Sequence, residues 1–130
     1  MIRIFLCLMF LFLSFPIAGC YWQQGNNAIE KSDPYTWDFG RVEKGAVLRH
    51  AFNLKNESNK ILNILSVSTS CGCTASEVKK KKLAPKENTL IEVSFKTRGY
   101  SGPTQQYVYV NTDSLDNPVI KYTIKADVAK

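Results

Sequence analysis

Thr89-Leu90-Ile91-Glu92-Val93-Ser94-Phe95-Lys96 is the stretch that decides the fold. Ile91, Val93 and Phe95 alternate with Glu92, Ser94 and Lys96, a spacing of two that sorts side chains onto one apolar and one wet face of an extended strand. The same period recurs on both sides. Upstream, Val47 to Lys55 places Leu48, Phe52 and Leu54 opposite Arg49, Asn53 and Lys55. Tyr35 to Phe39 and the branched run Ile61 to Ser68 also read as strands. Downstream, Gln105 to Thr112 sets Val108 and Val110 against Tyr107 and Tyr109. Val119 to Val128 then sets Ile120, Tyr122, Ile124 and Ala126 against Lys121, Thr123 and Lys125. Turn residues separate these runs at Gly45, Asn56 to Asn59, Pro85 to Asn88, Gly99 to Pro103 and Asp113 to Pro118. No segment carries a sustained helical period.

Short strands at turn spacings near ten predict an all-β, immunoglobulin-like antiparallel β-sandwich of about seven strands over residues 35–130. Trp37, Phe39, Phe52 and Phe95 are expected to help fill its core. A disulfide joining the two sheets is excluded, because Cys71 and Cys73 are separated by a single residue.

Several residues along this stretch form a recognisable set: Asp38-Phe39-Gly40, Gly45, His50-Ala51-Phe52, Asn56, Ser70-Cys71-Gly72-Cys73-Thr74, and Pro85 before a strand ending at Phe95. Together they resemble the bacterial DUF1573 family, whose domains are similar to the immunoglobulin-like ASH and Hydin type. The resemblance runs from Trp37 to about Val128. It implies a β-sandwich, often exported or lipid-anchored, and implies no reaction. One departure is visible: Pro85 is followed by Lys86 where the family usually has Pro-Gly.

The N-terminus is read apart from the fold. Arg3 precedes an apolar run from Ile4 to Phe15, broken only by Ser14, which is the layout of a secretory signal peptide, residues 1–19. Ile17-Ala18-Gly19-Cys20 resembles the bacterial lipobox, in which the chain is cut before the cysteine and the cysteine sulfur takes a diacylglycerol. Cys20 is therefore the lipidation candidate, and acyl chains such as palmitate would anchor the chain. The alternative is an ordinary secreted protein cut nearby, with Cys20 free. Residues 20–34 are polar and irregular, and are expected to form a flexible tether. The expected location is the cell envelope, facing the periplasm or the exterior, with Tyr21 after the cysteine favouring the outer membrane in a diderm host.

The 130-residue chain carries a formal charge of +6, and Lys79 to Lys82 supplies much of it. A lysine run is the ordinary composition of a solvated loop or a strand edge protected from aggregation, and it also suits anionic headgroups. Nucleic acid is not an expected partner, since no helix-turn-helix, zinc-finger or RNA-binding signature is present.

Cys71 and Cys73 are the cysteines left for chemistry in the mature chain. Three readings stand. They form a disulfide across one residue, closed through unusual backbone angles at Gly72 and open to thiol exchange. They bind a soft metal, Cu(I) above all, with His50 as a third ligand. Or they merely tie down a loop. His50, the only histidine, shares the apolar face of its strand with Leu48, Phe52 and Leu54, which favours a core role over a ligand role. Asp113 and Asp116 lie in a turn, where carboxylates usually cap amides. With no second histidine and no Gly-x-Ser-x-Gly elbow, the chain is not expected to be an enzyme. The expected function is a membrane-anchored envelope lipoprotein whose non-catalytic domain recruits a protein partner by an exposed edge or loop. The alternative is Cu(I) binding or thiol–disulfide exchange through Cys71-Gly72-Cys73.

Overall fold

The computed structural model describes residues 33–130; the expected signal peptide (1–19), the lipidation candidate Cys20 and residues 20–32 of the expected tether lie outside the described residues. Eight strands follow in order: β1 (Thr36–Val42), β2 (Val47–Lys55), β3 (Leu62–Thr69), β4 (Thr74–Val78), β5 (Lys82–Leu83), β6 (Asn88–Lys96), β7 (Gly102–Thr112) and β8 (Val119–Val128). They form a five-stranded sheet ordered β1-β8-β7-β3-β5 and a three-stranded sheet ordered β2-β6-β4, the all-β immunoglobulin-like sandwich expected above.

Alternation explains which residues the sheets enclose. Leu54, Ile91, Val93, Val108, Val110, Ile124 and Val128 are all buried, and Phe52 and Phe95 lie among them at 2% exposure each. Each such side chain contributes about 1.5–3 kcal/mol by leaving water. Trp37 does not join them. It is 44% exposed and flanks the core at the sheet edge, whereas Phe39 is half-buried and packs against the core from the same strand.

Two strands had no alternating signal. β4 presents small polar residues inward, with Thr74 buried and Ser76 half-buried, so it lacks the apolar period despite pairing along its length with β6. β5 is a two-residue edge strand whose Leu83 is fully buried. Lys79 and Lys80 of the lysine run pair with Glu92 and Glu87 at the surface, where such ion pairs contribute little.

One pairing is parallel, contrary to a purely antiparallel sandwich: β1 runs alongside β8, from Thr36 opposite Thr123 to Val42 opposite Val128. The whole domain is the crossover between them, which meets the long connection that parallel pairing demands. The register slips between Asp38 and Arg41, where Gly40 takes φ +66° and its N–H donates to Asp38 Oδ1 at 2.7 Å. This bulge changes the parity of β1, so Phe39 and Val42, three residues apart, both pack against the core. A second slip between Ile64 and Ser66 turns Leu65 outward to 63% exposure while Val67 returns to the core.

Candidate functional site

The Cys-Gly-Cys segment forms the corner where the chain leaves the five-stranded sheet for the three-stranded one, between β3 and β4. Backbone bonds fix both ends: Ser70 N–H donates to the Tyr107 carbonyl at 2.9 Å, and Lys96 N–H to the Cys73 carbonyl at 2.9 Å. Thr74 N–H closes the turn onto the Cys71 carbonyl at 3.2 Å. Thr69 Oγ1 adds bonds to the carbonyls of Cys71 and Thr74 at 3.1 and 2.9 Å. Within this frame Cys71 and Cys73 are joined as a disulfide, their Cα atoms 5.4 Å apart.

Gly72 does not take the role expected of it. Positive φ occurs at Gly40, Gly45, Gly99 and Gly102 but not at Gly72, and a Cβ built there meets nothing within 4 Å. The turn closes in a conformation open to other residues.

Both sulfurs are half-buried, and Cys73 packs against the core. The β6–β7 connection, which crosses between the sheets in the opposite direction, delivers Tyr100 to them. Its phenol oxygen lies 2.8 Å from Cys73 Sγ and 3.4 Å from Cys71 Sγ, and its ring rests edge-on to Phe95 at 5.2 Å. Cys71 Sγ also accepts the Cys73 N–H at 3.3 Å and lies 3.7 Å from Thr74 Oγ1. Behind Tyr100, Gln106 Nε2 donates to the phenol oxygen at 3.4 Å, and Ser70 Oγ donates to Gln106 Oε1 at 2.7 Å. Tyr107 N–H in turn donates to Ser70 Oγ at 3.0 Å. Tyr100 and Gln106 were not legible as site residues. The one available signal was an aromatic residue in the otherwise small, glycine-flanked loop Gly99-Tyr100-Ser101-Gly102.

His50 belongs to a different place. It pairs with Val93 on one side of β6, and Ser76 of β4 pairs with the same Val93 on the other. Two strand spacings, about 10 Å, therefore separate His50 from β4, and the cysteines lie beyond the start of that strand. The imidazole instead stacks on Trp37 and meets Phe39 and Phe52 edge-on. Its partial burial holds its pKa below the ordinary 6.5. The ligand set Cys71, Cys73 and His50 is thus not assembled: the histidine faces an aromatic seam, and the sulfurs are bonded to each other. Among the described residues no three His, Cys, Asp or Glu side chains converge as a metal site.

Asp113 accepts Asn63 N–H at 2.8 Å and Asn63 Nδ2 at 2.6 Å, bonds that lower its pKa and tie the β7–β8 turn to β3. It caps a turn. A second feature open to a partner is β2, the longest of the edge strands. Nine residues long, it ends the three-stranded sheet, and among the described residues no strand pairs with its outer side. An open groove of about 530 Å³ crosses the outer face of that sheet between Arg49, Glu77, Glu92 and Ser94.

The same architecture occurs in solved structures. A protein of unknown function from Porphyromonas gingivalis W83 is 16% identical with a TM-score of 0.64, covering 72% of this chain and 44% of that one. Domain 7 of human CEP192, an ASH/PapD-like domain, is 12% identical with a TM-score of 0.55, covering 74% of this chain and 82% of that one. The Vibrio cholerae VesB protease is 14% identical with a TM-score of 0.57, covering 73% of this chain and 30% of that one. The chain thus spans less than half the length of these two bacterial proteins, and at these identities the likeness is one of fold. No protein with a curated description matches it in sequence. The family model described as a protein of unknown function, DUF1573, matches residues 31–128, and the chain belongs to that family.

Proposed function

We propose that this chain is a lipid-anchored envelope protein whose immunoglobulin-like domain is a non-catalytic binding module. It holds a protein partner that adds an extended segment to β2. The observation that carries this reading is the outer edge of β2, nine residues with no pairing strand among the described residues. Unpaired N–H and C=O groups along such an edge template a further strand, which is how many sheet domains take up extended peptides. Val47, half exposed, and Arg49 offer side-chain contacts beside that ladder. The lipid on Cys20 would keep the module at the membrane while residues 21–32 span the gap to it.

Photo-crosslinking residues placed at Ala51 and Asn53 of the full chain in its host test the partner. Adducts to one discrete protein at β2, with none at Tyr109 on the opposite sheet, are expected. Equal adducts at both faces, or none at β2, overturn the reading. Palmitate labelling of the wild type, lost in Cys20→Ala, tests the anchor separately.

A further inference from the structure

We propose that Cys71–Cys73 is a thiol–disulfide exchange site acting on protein thiols, with Cys71 the attacked sulfur and Cys73 the leaving sulfur. Tyr100 donates the hydrogen bond that stabilises the departing thiolate. The inference rests on the direction of the hydrogen bonds around the disulfide.

A structural staple needs no donor at its sulfurs, yet Tyr100 Oη lies 2.8 Å from Cys73 Sγ. A disulfide sulfur carries no hydrogen, so the phenol is the donor in that contact. An amide nitrogen only donates, so the bond from Gln106 Nε2 makes the phenol oxygen an acceptor there and frees the single phenolic hydrogen. Gln106 is itself buried, Ser70 Oγ donates to its side-chain carbonyl, and the backbone N–H of Tyr107 donates to Ser70 Oγ. Every link points the same way, and the chain ends at sulfur. A disulfide sulfur is a weak acceptor and a thiolate a strong one, so this relay is worth more after the bond opens than before.

The two sulfurs differ as exchange requires. Cys73 packs against the hydrophobic core, beneath Tyr100. Cys71 stands at the start of the turn, outside that packing, and is assigned as the sulfur that the incoming thiolate attacks. Attack forms a bond from the substrate sulfur to Cys71 Sγ and breaks the Cys71–Cys73 bond. The electron pair passes to Cys73 Sγ, which accepts the Tyr100 hydrogen bond. A second substrate thiolate then attacks the substrate sulfur of the mixed disulfide, and Cys71 leaves as thiolate with the Cys73 N–H already directed at it at 3.3 Å. Two electrons have moved from a protein dithiol to the pair; the attacking thiols shed their protons to water, and the two departing thiolates take protons up from water. A disulfide-bearing oxidant of the same compartment restores it by the reverse steps.

Lowering the leaving thiol's pKa speeds exchange, and a hydrogen bond to a charged group supplies enough for a roughly tenfold effect. The test reduces the full chain with dithiothreitol and follows the Cys71–Cys73 bond. Tyr100→Phe keeps the ring on Phe95 and removes only the O–H; it is expected to slow reduction roughly tenfold. Alkylation of the reduced thiols is expected to shift to higher pH in the same variant. Cys73→Ser should trap a mixed disulfide with oxidised glutathione, and Cys71→Ser should trap little. Unchanged rate and alkylation profile in Tyr100→Phe, preferential trapping in Cys71→Ser, or a bond reduced only when the chain is unfolded would each overturn the proposal.

Discussion

Trp37 of β1 lies flat on His50 of β2, ring centroids 4.1 Å apart and planes 10° apart. The pair bridges the two sheets at the edge of the sandwich, and Phe52 carries the contact inward to Tyr122 through a stack at 4.5 Å. An imidazole so placed is held neutral by the loss of water around it, which is what lowers its pKa. Below 6.5 the unfolded chain binds a proton on His50 more readily than the folded one does. Stability is therefore flat at neutral pH and falls as pH drops through the window that opens near 6.5. Urea midpoints measured from about pH 7 to 5 are expected to decline in the wild type and to stay level in His50→Gln. The lowered carboxylates Asp33, Glu87 and Asp113 titrate only at lower pH and leave that window clear.

Lys86 sits at φ 65°, the left-handed conformation that suits glycine, and follows Pro85 in a turn closed by Glu87 N–H on the Ala84 carbonyl at 3.1 Å. The turn keeps the geometry of a Pro-Gly pair although the glycine is absent. Lys86→Gly should raise stability by about 0.5–1 kcal/mol, the side chain's left-handed penalty less the entropy that glycine brings to the unfolded chain. Thermal melts check this. A loss instead would mean that the Lys86 Nζ bond to the Glu57 carbonyl at 2.6 Å outweighs the backbone term.

Asn56 is 2% exposed, and every polar atom of its side chain is used. Nδ2 donates to the carbonyls of Lys60, Leu83 and Ala84 at 2.7, 3.1 and 3.1 Å, and Oδ1 accepts Ser58 N–H and Oγ at 3.1 and 2.7 Å. Asn56→Ala is expected to cost about 2–4 kcal/mol in a denaturant titration, because buried carbonyls lose their donor. Asn56→Asp should cost more, since a carboxylate would face the same three carbonyls.

Two glycines give opposite results on substitution by alanine. Gly72→Ala should change stability by less than about 0.5 kcal/mol and still form the disulfide, a thiol count being the check. Gly40→Ala should cost about 1 kcal/mol, because φ +66° at the β1 bulge penalises any Cβ despite open space around it.

Strands with one wet face were legible because period two survives in β2, β6, β7 and β8 whatever their partners. β4 was hidden by Thr74 and Ser76, whose inward positions are set by a neighbouring strand and not by their own hydrophobicity. The Ile61 to Ser68 run was legible as a strand, but not the bulge within it that turns Leu65 out. His50 was correctly placed on the apolar face, but its distance from the cysteines depended on strand order, which alternation does not encode. The same limit hid Tyr100 and Gln106: Tyr100 reaches the disulfide only because two connections between the sheets run side by side, and Gln106 reaches Tyr100 from β7.

The parallel pairing of β1 with β8 has a mechanical consequence. The N-terminal end of β1 lies beside Thr123 and its C-terminal end beside Val128. Tension applied between the start and the end of the domain therefore runs along both strands and in opposite directions. The hydrogen bonds between them are loaded in shear, all at once, and cannot open one by one from an end. A module held at its N-terminal side and pulled from its C-terminal side would resist as a clamp until the whole β1–β8 ladder failed together.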